Sequence, residues 1–173
     1  RFRIPDMLAN RADTYNLGEI LDGKEELFAL SYIENSLTSN PALAPLATRD
    51  PGDIHKFIRM ARGDEVNTGE LSHGYAAAEI QEIVAVLQRL FGVQKVLLKV
   101  NLQYIASAAQ DERFRTEPAF KLQGSYRNMN KLAEKVVAAM TDEELERLID
   151  DHYQGESQTL TTAAEQNLLK LQE

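Results

Sequence analysis

The segment Ile80-Gln-Glu-Ile-Val-Ala-Val-Leu-Gln-Arg-Leu-Phe91 decides the fold class of this chain. Its apolar residues recur at spacings of three and four, which places them on one face of an α-helix. These residues are Ile80, Ile83, Val84, Leu87, Leu90 and Phe91. We therefore expect a helix here whose apolar face packs against other helices.

The same helical spacing recurs along most of the chain and predicts an all-α fold, a helical bundle. Counting the first segment, seven helical stretches are expected: 27–37, 54–61, 80–91, 97–108, 129–140, 145–149 and 160–171. One short segment, 14–17, is the only candidate strand, and it is too short to form a sheet. Residues 75–110 are expected to form a long helical hairpin.

Sequence signals for helix ends divide these stretches. Thr141 to Glu144 and Thr162 to Glu165 each have the spacing of a capping box, in which a threonine hydroxyl and a glutamate bond the first amides of a helix. Gly63 and Gly92 are expected to stop helices. The polar segment 63–74 is expected to be a mobile loop.

Charge is distributed unevenly along the 173 residues, whose formal net charge is −8. Residues 141–173 carry nine acidic and two basic side chains, whereas the other 140 residues carry 17 basic and 18 acidic ones. Proteins that bind DNA regardless of sequence present a broad basic surface. This chain by itself is therefore a poor candidate for binding phosphate backbones.

The composition excludes several other classes of site. The chain has no cysteine, so it has neither disulfides nor thiolate ligands or nucleophiles, and its three scattered histidines argue against a structural zinc site. No apolar run reaches the roughly 18 residues typical of a membrane span, and no signal peptide is recognisable. We expect a cytoplasmic protein without membrane contact. Because the chain starts at Arg1, we interpret it as a piece of a larger protein.

No catalytic machinery can be identified in the chain itself. The segment Gly18-Glu-Ile-Leu-Asp-Gly-Lys24 has the spacing of a phosphate-binding loop, but Glu25 stands where that loop needs a hydroxyl for magnesium. We interpret it as a turn between helices. No spacing singles out a nucleophile with its base, and the paired Asp150 and Asp151 are typical of a solvated helix face.

The segment around Arg127 carries a more informative pattern. Gly124 and Ser125 can end a loop and cap the next helix, which puts Arg127 in the first helical turn, where the helix dipole disfavours a cation. Lys131 and Lys135 follow at spacings of four, which adds repulsion. An anion bound at the helix start would explain this placement, and so would a nearby carboxylate paired with Arg127. The residues alone leave both explanations open.

A second informative segment, 1–13, reads as a turn of helix that starts at Pro5 and ends near Arg11. Taken in order, the two segments resemble the second half of an AAA+ ATPase module. In that family a Pro-x-x-Leu-x-x-Arg-x-Asp segment carries the arginine finger, and a Gly-Ser-x-Arg motif opens a helix of the lid with the sensor 2 arginine. The matching residues are Pro5, Leu8, Arg11 and Asp13, and Gly124, Ser125 and Arg127.

The amino-acid sequence of both segments is similar to that of the C-terminal AAA+ module of large bacterial proteins assigned to DNA repair. The resemblance implies a catalytic Arg11 acting on the neighbouring subunit's nucleotide, and a nucleotide-binding Arg127 presented by Gly124 and Ser125. It also implies a parent ATPase that binds ATP and Mg²⁺, assembles into a ring and remodels DNA or a protein. The fragment alone, lacking a phosphate loop, is expected to bind no ATP and to be inactive.

The resemblance also implies three regions. Residues 1–22 would end the AAA+ core, residues 23–140 would form a helical lid with the 75–110 hairpin inserted, and residues 141–173 would form acidic C-terminal helices. The alternative is a non-catalytic helical protein-interaction module, in which the hairpin and the acidic end contact a partner.

Overall fold

Five α-helices make up most of the computed structural model, which describes residues 25–49, 51–110, 113 and 122–172. They are α1 (Glu25–Ser36), α2 (Pro51–Ala61), α3 (Ala77–Ala108), α4 (Tyr126–Ala133) and α5 (Asp142–Gln172). Short 3-10 turns lie at Leu37–Ser39, Ala44–Thr48 and Thr68–Glu70. No strand occurs in this part of the chain, which confirms the all-α prediction. The candidate strand 14–17, Arg11 and the 18–24 turn lie outside the described residues.

Helix α3 is the central element, because each of the other four helices packs against it. Its buried apolar residues include Ile83, Leu87, Leu90, Val93, Leu97 and Val100. Full burial of an aliphatic side chain of this size stabilises the folded state by about 1.5–3 kcal/mol. The apolar face noticed in the sequence is therefore the main core-forming face of the bundle.

The predicted hairpin over residues 75–110 is wrong, because this region forms the single 32-residue helix α3. Gly92, expected to stop a helix, lies in its interior. The apolar face continues past Gly92 through buried Val93 and Leu97, and burial of these side chains stabilises the continued helix. A Cβ at Gly92 would lie 3.3 Å from Cδ2 of Leu145, and glycine thus allows α5 to pack closely at this point.

The acidic C-terminal region likewise forms one helix rather than two. Thr141 caps α5 as predicted, with its Oγ1 accepting the Glu144 amide at 3.1 Å. Thr162, predicted to cap a second helix, lies inside α5 and donates its hydroxyl to the Gln158 carbonyl at 3.0 Å. Because this bond to the preceding turn satisfies the hydroxyl, the threonine does not end the helix.

Gly63 follows the end of α2, as predicted. Its φ of 93° is the one positive φ among the described residues, and this left-handed conformation, which glycine adopts readily, ends the helix. The loop that follows is fastened to α2 at its far end. The fully buried carboxylate of Asp53 accepts the Ser72 amide at 2.8 Å and the Tyr75 hydroxyl at 3.3 Å. Tyr75 also packs edge-on against the buried ring of Phe57.

A buried asparagine joins the end of α1 to the end of α4. The side-chain amide of Asn40 donates to the carbonyls of Ala133 at 2.8 Å and Val136 at 2.9 Å. Its Oδ1 accepts the Ala42 amide at 2.9 Å. Helix ends leave carbonyls without intrahelical partners, and Asn40 supplies a donor for Ala133, the last residue of α4, and another for Val136 in the segment that follows. The position of α4 is therefore fixed at its C-terminal end.

Candidate functional site

The start of α4 is held in place by three neighbouring helices. The segment before it lies so close to α3 that a Cβ at Gly124 would be 1.8 Å from the Leu97 carbonyl oxygen. The Tyr32 hydroxyl of α1 donates to the Gly124 carbonyl, and the Tyr153 hydroxyl of α5 donates to the Gln123 carbonyl at 2.8 Å. Burial raises the pKa of both tyrosines, so both hydroxyls stay protonated and able to donate.

Ser125 is the N-cap of α4, as the sequence predicted. Its Oγ accepts the Asn128 amide at 3.3 Å, and Oδ1 of Asn128 accepts the Ser125 amide at 3.2 Å. This reciprocal capping box satisfies two amides of the first turn. Arg127 consequently lies in the first turn of a rigidly positioned helix.

The side chain of Arg127 is 64% exposed and extends toward α5, where its Nη2 bonds Glu156 Oε1 at 3.2 Å. A second contact, to Oε2, measures 3.5 Å. The nearby-carboxylate explanation of its placement is therefore present in the structure. An ion pair this exposed contributes about 0–1 kcal/mol, because water and salt screen it. The pair thus leaves the guanidinium free to exchange partners.

Arg127 lies at the edge of an open groove between α4 and α5, which we call the α4–α5 groove. Its volume is about 610 Å³. It is lined by Arg127, Lys131, Glu134, Lys135, His152, Gly155, Glu156 and Thr159. Three permanent cations outnumber two carboxylates there, although the chain as a whole is acidic. The groove can therefore attract an anion.

Asn128 and His152 connect the helix cap to the groove. Nδ2 of Asn128 lies 2.9 Å from Nε2 of His152 and 3.4 Å from Oε1 of Glu156. An amide nitrogen only donates, and the orientation of this amide follows from its Oδ1 accepting the Ser125 amide. His152 Nε2 is therefore the acceptor, which requires a neutral ring with its proton on Nδ1.

The electrostatic surroundings also favour neutral His152. Burial lowers its pKa, and the charges of Lys131, Lys135 and Arg127 lower it further, whereas Glu156 acts in the opposite direction. The folded state therefore resists taking a proton that the unfolded chain accepts at the usual histidine pKa of about 6.5.

This shift predicts that stability decreases as the pH falls below about 6.5, the unfolded pKa of histidine, and that His152 causes part of this decrease. The reason is that the unfolded state then binds a proton that the folded state excludes. Urea denaturation at several pH values from 7.5 to 5 measures this loss of stability.

We expect His152→Gln to flatten the dependence of stability on pH, because the variant has no ring to protonate. His55→Gln is the matched control, because it removes another imidazole at an exposed position outside the groove lining; the flattening should be larger in His152→Gln. A wild-type slope in His152→Gln would contradict this account.

The site residues expected from the sequence take different places. Gly124 and Ser125 position the start of α4, Arg127 reaches the groove, and Arg11 lies outside the described residues. Sequence reasoning missed His152 and Glu156. Their spacing of four puts both on one face of a helix, but nothing in the sequence reveals that this face packs against α4.

Comparison of the chain with protein-family models, with curated proteins and with solved structures finds no match. Within the described ranges, no helix combines the length and apolar character needed to cross a membrane. In the same part of the chain, histidine, aspartate and glutamate side chains form no group of three that could hold a metal ion.

Proposed function

We propose that this chain is the C-terminal, largely helical part of an AAA+ ATPase, with Arg127 as its sensor 2 arginine. One observation carries the proposal: an exposed guanidinium in the first turn of a firmly positioned helix borders an open, cationic groove. The Gly-Ser-x-Arg order of residues 124–127 supports it, because Gly124 and Ser125 fix the helix start from which the arginine extends.

The chemistry of this placement suits phosphoryl transfer, in which negative charge on the phosphate oxygens must be neutralised. A guanidinium pairs with two phosphate oxygens at once and keeps its proton at working pH. Lys131 of α4 and Lys135, just past the end of α4, add positive charge to the groove lining. The phosphate loop and the magnesium-binding acids would belong to another part of the parent protein.

In this proposal the regions keep the boundaries of the resemblance: core end 1–22, helical lid 23–140 and C-terminal region 141–173. The parent would assemble into a cytoplasmic ring and couple ATP hydrolysis to the remodelling of DNA or a protein. Arg11 would act as the arginine finger on the neighbouring subunit's nucleotide.

The test of Arg127 uses the protein that carries this chain together with its phosphate loop. We expect Arg127→Ala to lower ATP turnover about tenfold, equivalent to ~1.4 kcal/mol of lost transition-state stabilisation. The variant should keep its melting temperature, because the Glu156 ion pair is exposed. Lys99→Ala, exposed on α3 and away from the groove lining, is the control and should leave turnover unchanged. Unchanged turnover in Arg127→Ala would refute the sensor 2 role.

Arg11 is tested in the same protein by mixing subunits. Arg11→Ala should lose ATP turnover and keep ATP binding. An arginine finger acts on the nucleotide of the neighbouring subunit, so its loss leaves the subunit's own nucleotide-binding site intact. Mixing it with a phosphate-loop variant should restore part of the activity through mixed interfaces. Equal loss of binding and turnover would count against the finger.

The sequence upstream of Arg1 in the parent gene separates the two function classes directly. The ATPase proposal requires a Gly-x4-Gly-Lys-Thr or Gly-x4-Gly-Lys-Ser loop there, and a hydrophobic strand ending in paired acids. If both are missing, the helical interaction module becomes the better interpretation.

A further inference from the structure

We infer that Glu156 is a positioning residue. It restrains Arg127 while the α4–α5 groove holds no phosphate, and a bound phosphoryl group then displaces Glu156 as the partner of the guanidinium. This inference rests on the proposed function and adds to it a resting state for Arg127. Three features of the contact support it, namely a fixed acid, a movable cation and a surplus of positive charge.

The acid is the fixed partner. Only 24% of the Glu156 side chain is exposed, and its Oε1 accepts from the buried Asn128 amide at 3.4 Å. Asn128 in turn belongs to the capping box of α4. The carboxylate is therefore held by a side chain, Asn128, that cannot move without disturbing the helix start.

The cation is the movable partner. The Arg127 side chain is 64% exposed and bonds Glu156 through one nitrogen of its guanidinium. Rotation of a long exposed side chain requires no change in the helix that carries it. When the pair breaks, Arg127 therefore moves and Glu156 stays.

A phosphoryl group is the stronger partner for this arginine. It carries more negative charge than one carboxylate and can accept two parallel bonds from the guanidinium. Lys131 and Lys135 line the same groove and attract it further. Glu156 consequently lowers the phosphate affinity of the groove and keeps Arg127 near its working position.

The experiment measures binding of tripolyphosphate to the 173-residue chain by isothermal titration calorimetry at low ionic strength. We expect Glu156→Gln to bind about fivefold more tightly than the wild type, the size set by loss of one exposed ion pair. In an Arg127→Gln background, Glu156→Gln should give no gain. Glu134→Gln removes another carboxylate of the groove and is the matched control. Its smaller gain should persist without Arg127, because it acts only through charge.

The outcomes separate the two proposals. A gain from Glu156→Gln that persists in the Arg127→Gln background overturns the inference, because Glu156 would then act only as a nearby charge. Wild-type binding that requires Arg127 but is unchanged in Glu156→Gln also overturns it and leaves the proposed function standing. Absence of binding in every variant overturns the inference too, whereas the sensor 2 role is decided by turnover of Arg127→Ala.

A second measurement needs no substitution. In the wild-type chain, the ¹³C resonance of the Glu156 carboxyl carbon reports whether its ion pair is intact. We expect this resonance and that of Arg127 Nε to shift together as tripolyphosphate is added. A shift at Arg127 without one at Glu156 would contradict displacement.

Discussion

Replacing Gly124 with alanine is expected to destabilise the chain by about 3 kcal/mol or more, enough to abolish much of a small domain's stability. The new Cβ would lie 1.8 Å from the Leu97 carbonyl oxygen and 2.7 Å from its carbon. Both atoms belong to the backbone of α3, the central helix, so they cannot rotate away as a side chain would. Relief requires the start of α4 to separate from α3, which also strains the bond from Tyr32 to the Gly124 carbonyl.

Urea denaturation followed by circular dichroism measures this effect. Gly155→Ala is the matched control, because a Cβ at that position meets no atom within 4 Å. It should stabilise the chain by about 0.5–1 kcal/mol, the usual difference between alanine and glycine in a helix interior. If Gly124→Ala unfolds at the wild-type urea concentration, α4 does not approach α3 as described.

The second large effect is expected from Asn40→Ala, at about 3 kcal/mol of lost stability. The substitution removes the donors to the Ala133 and Val136 carbonyls and the acceptor of the Ala42 amide. Because Asn40 is fully buried, water cannot replace these bonds without opening the structure.

A companion variant, Asn40→Asp, identifies the cause. It keeps an acceptor for the Ala42 amide but places a charge beside two carbonyls that need donors, so it should destabilise at least as much. Asn35→Ala, at an exposed residue that bonds the Asn130 side chain, is the control and should cost less than about 1 kcal/mol. Equal unfolding free energies for Asn40→Ala and Asn35→Ala would refute this account of how the end of α4 is held.

Local chemistry made several features predictable. The caps formed by Ser125 and Thr141 follow from side chains that bond the amide three residues further on, and Gly63 ends a helix because glycine adopts a positive φ. Such signals depend on neighbours in sequence, so one chain suffices to find them.

Features that depend on packing between distant segments were not predictable. Gly92, like Gly63, is a glycine that follows an apolar helical stretch. It lies inside α3 because the buried apolar face continues through Val93 and Leu97, and Leu145 of α5 packs close to it. Glu156 and His152 sit on an acidic, polar stretch, and only the docking of α5 against α4 brings them to Arg127. The decisive partners in the α4–α5 groove are therefore separated from Arg127 by more than twenty residues.

The most direct measurement is a structure of the proposed parent protein with a non-hydrolysable ATP analogue and magnesium. We expect an Arg127 guanidinium nitrogen to lie about 3 Å from a γ-phosphate oxygen, the distance of a charge-assisted hydrogen bond, and no longer to bond Glu156. An Arg127 that keeps its Glu156 pair while other residues contact the γ-phosphate would contradict the account.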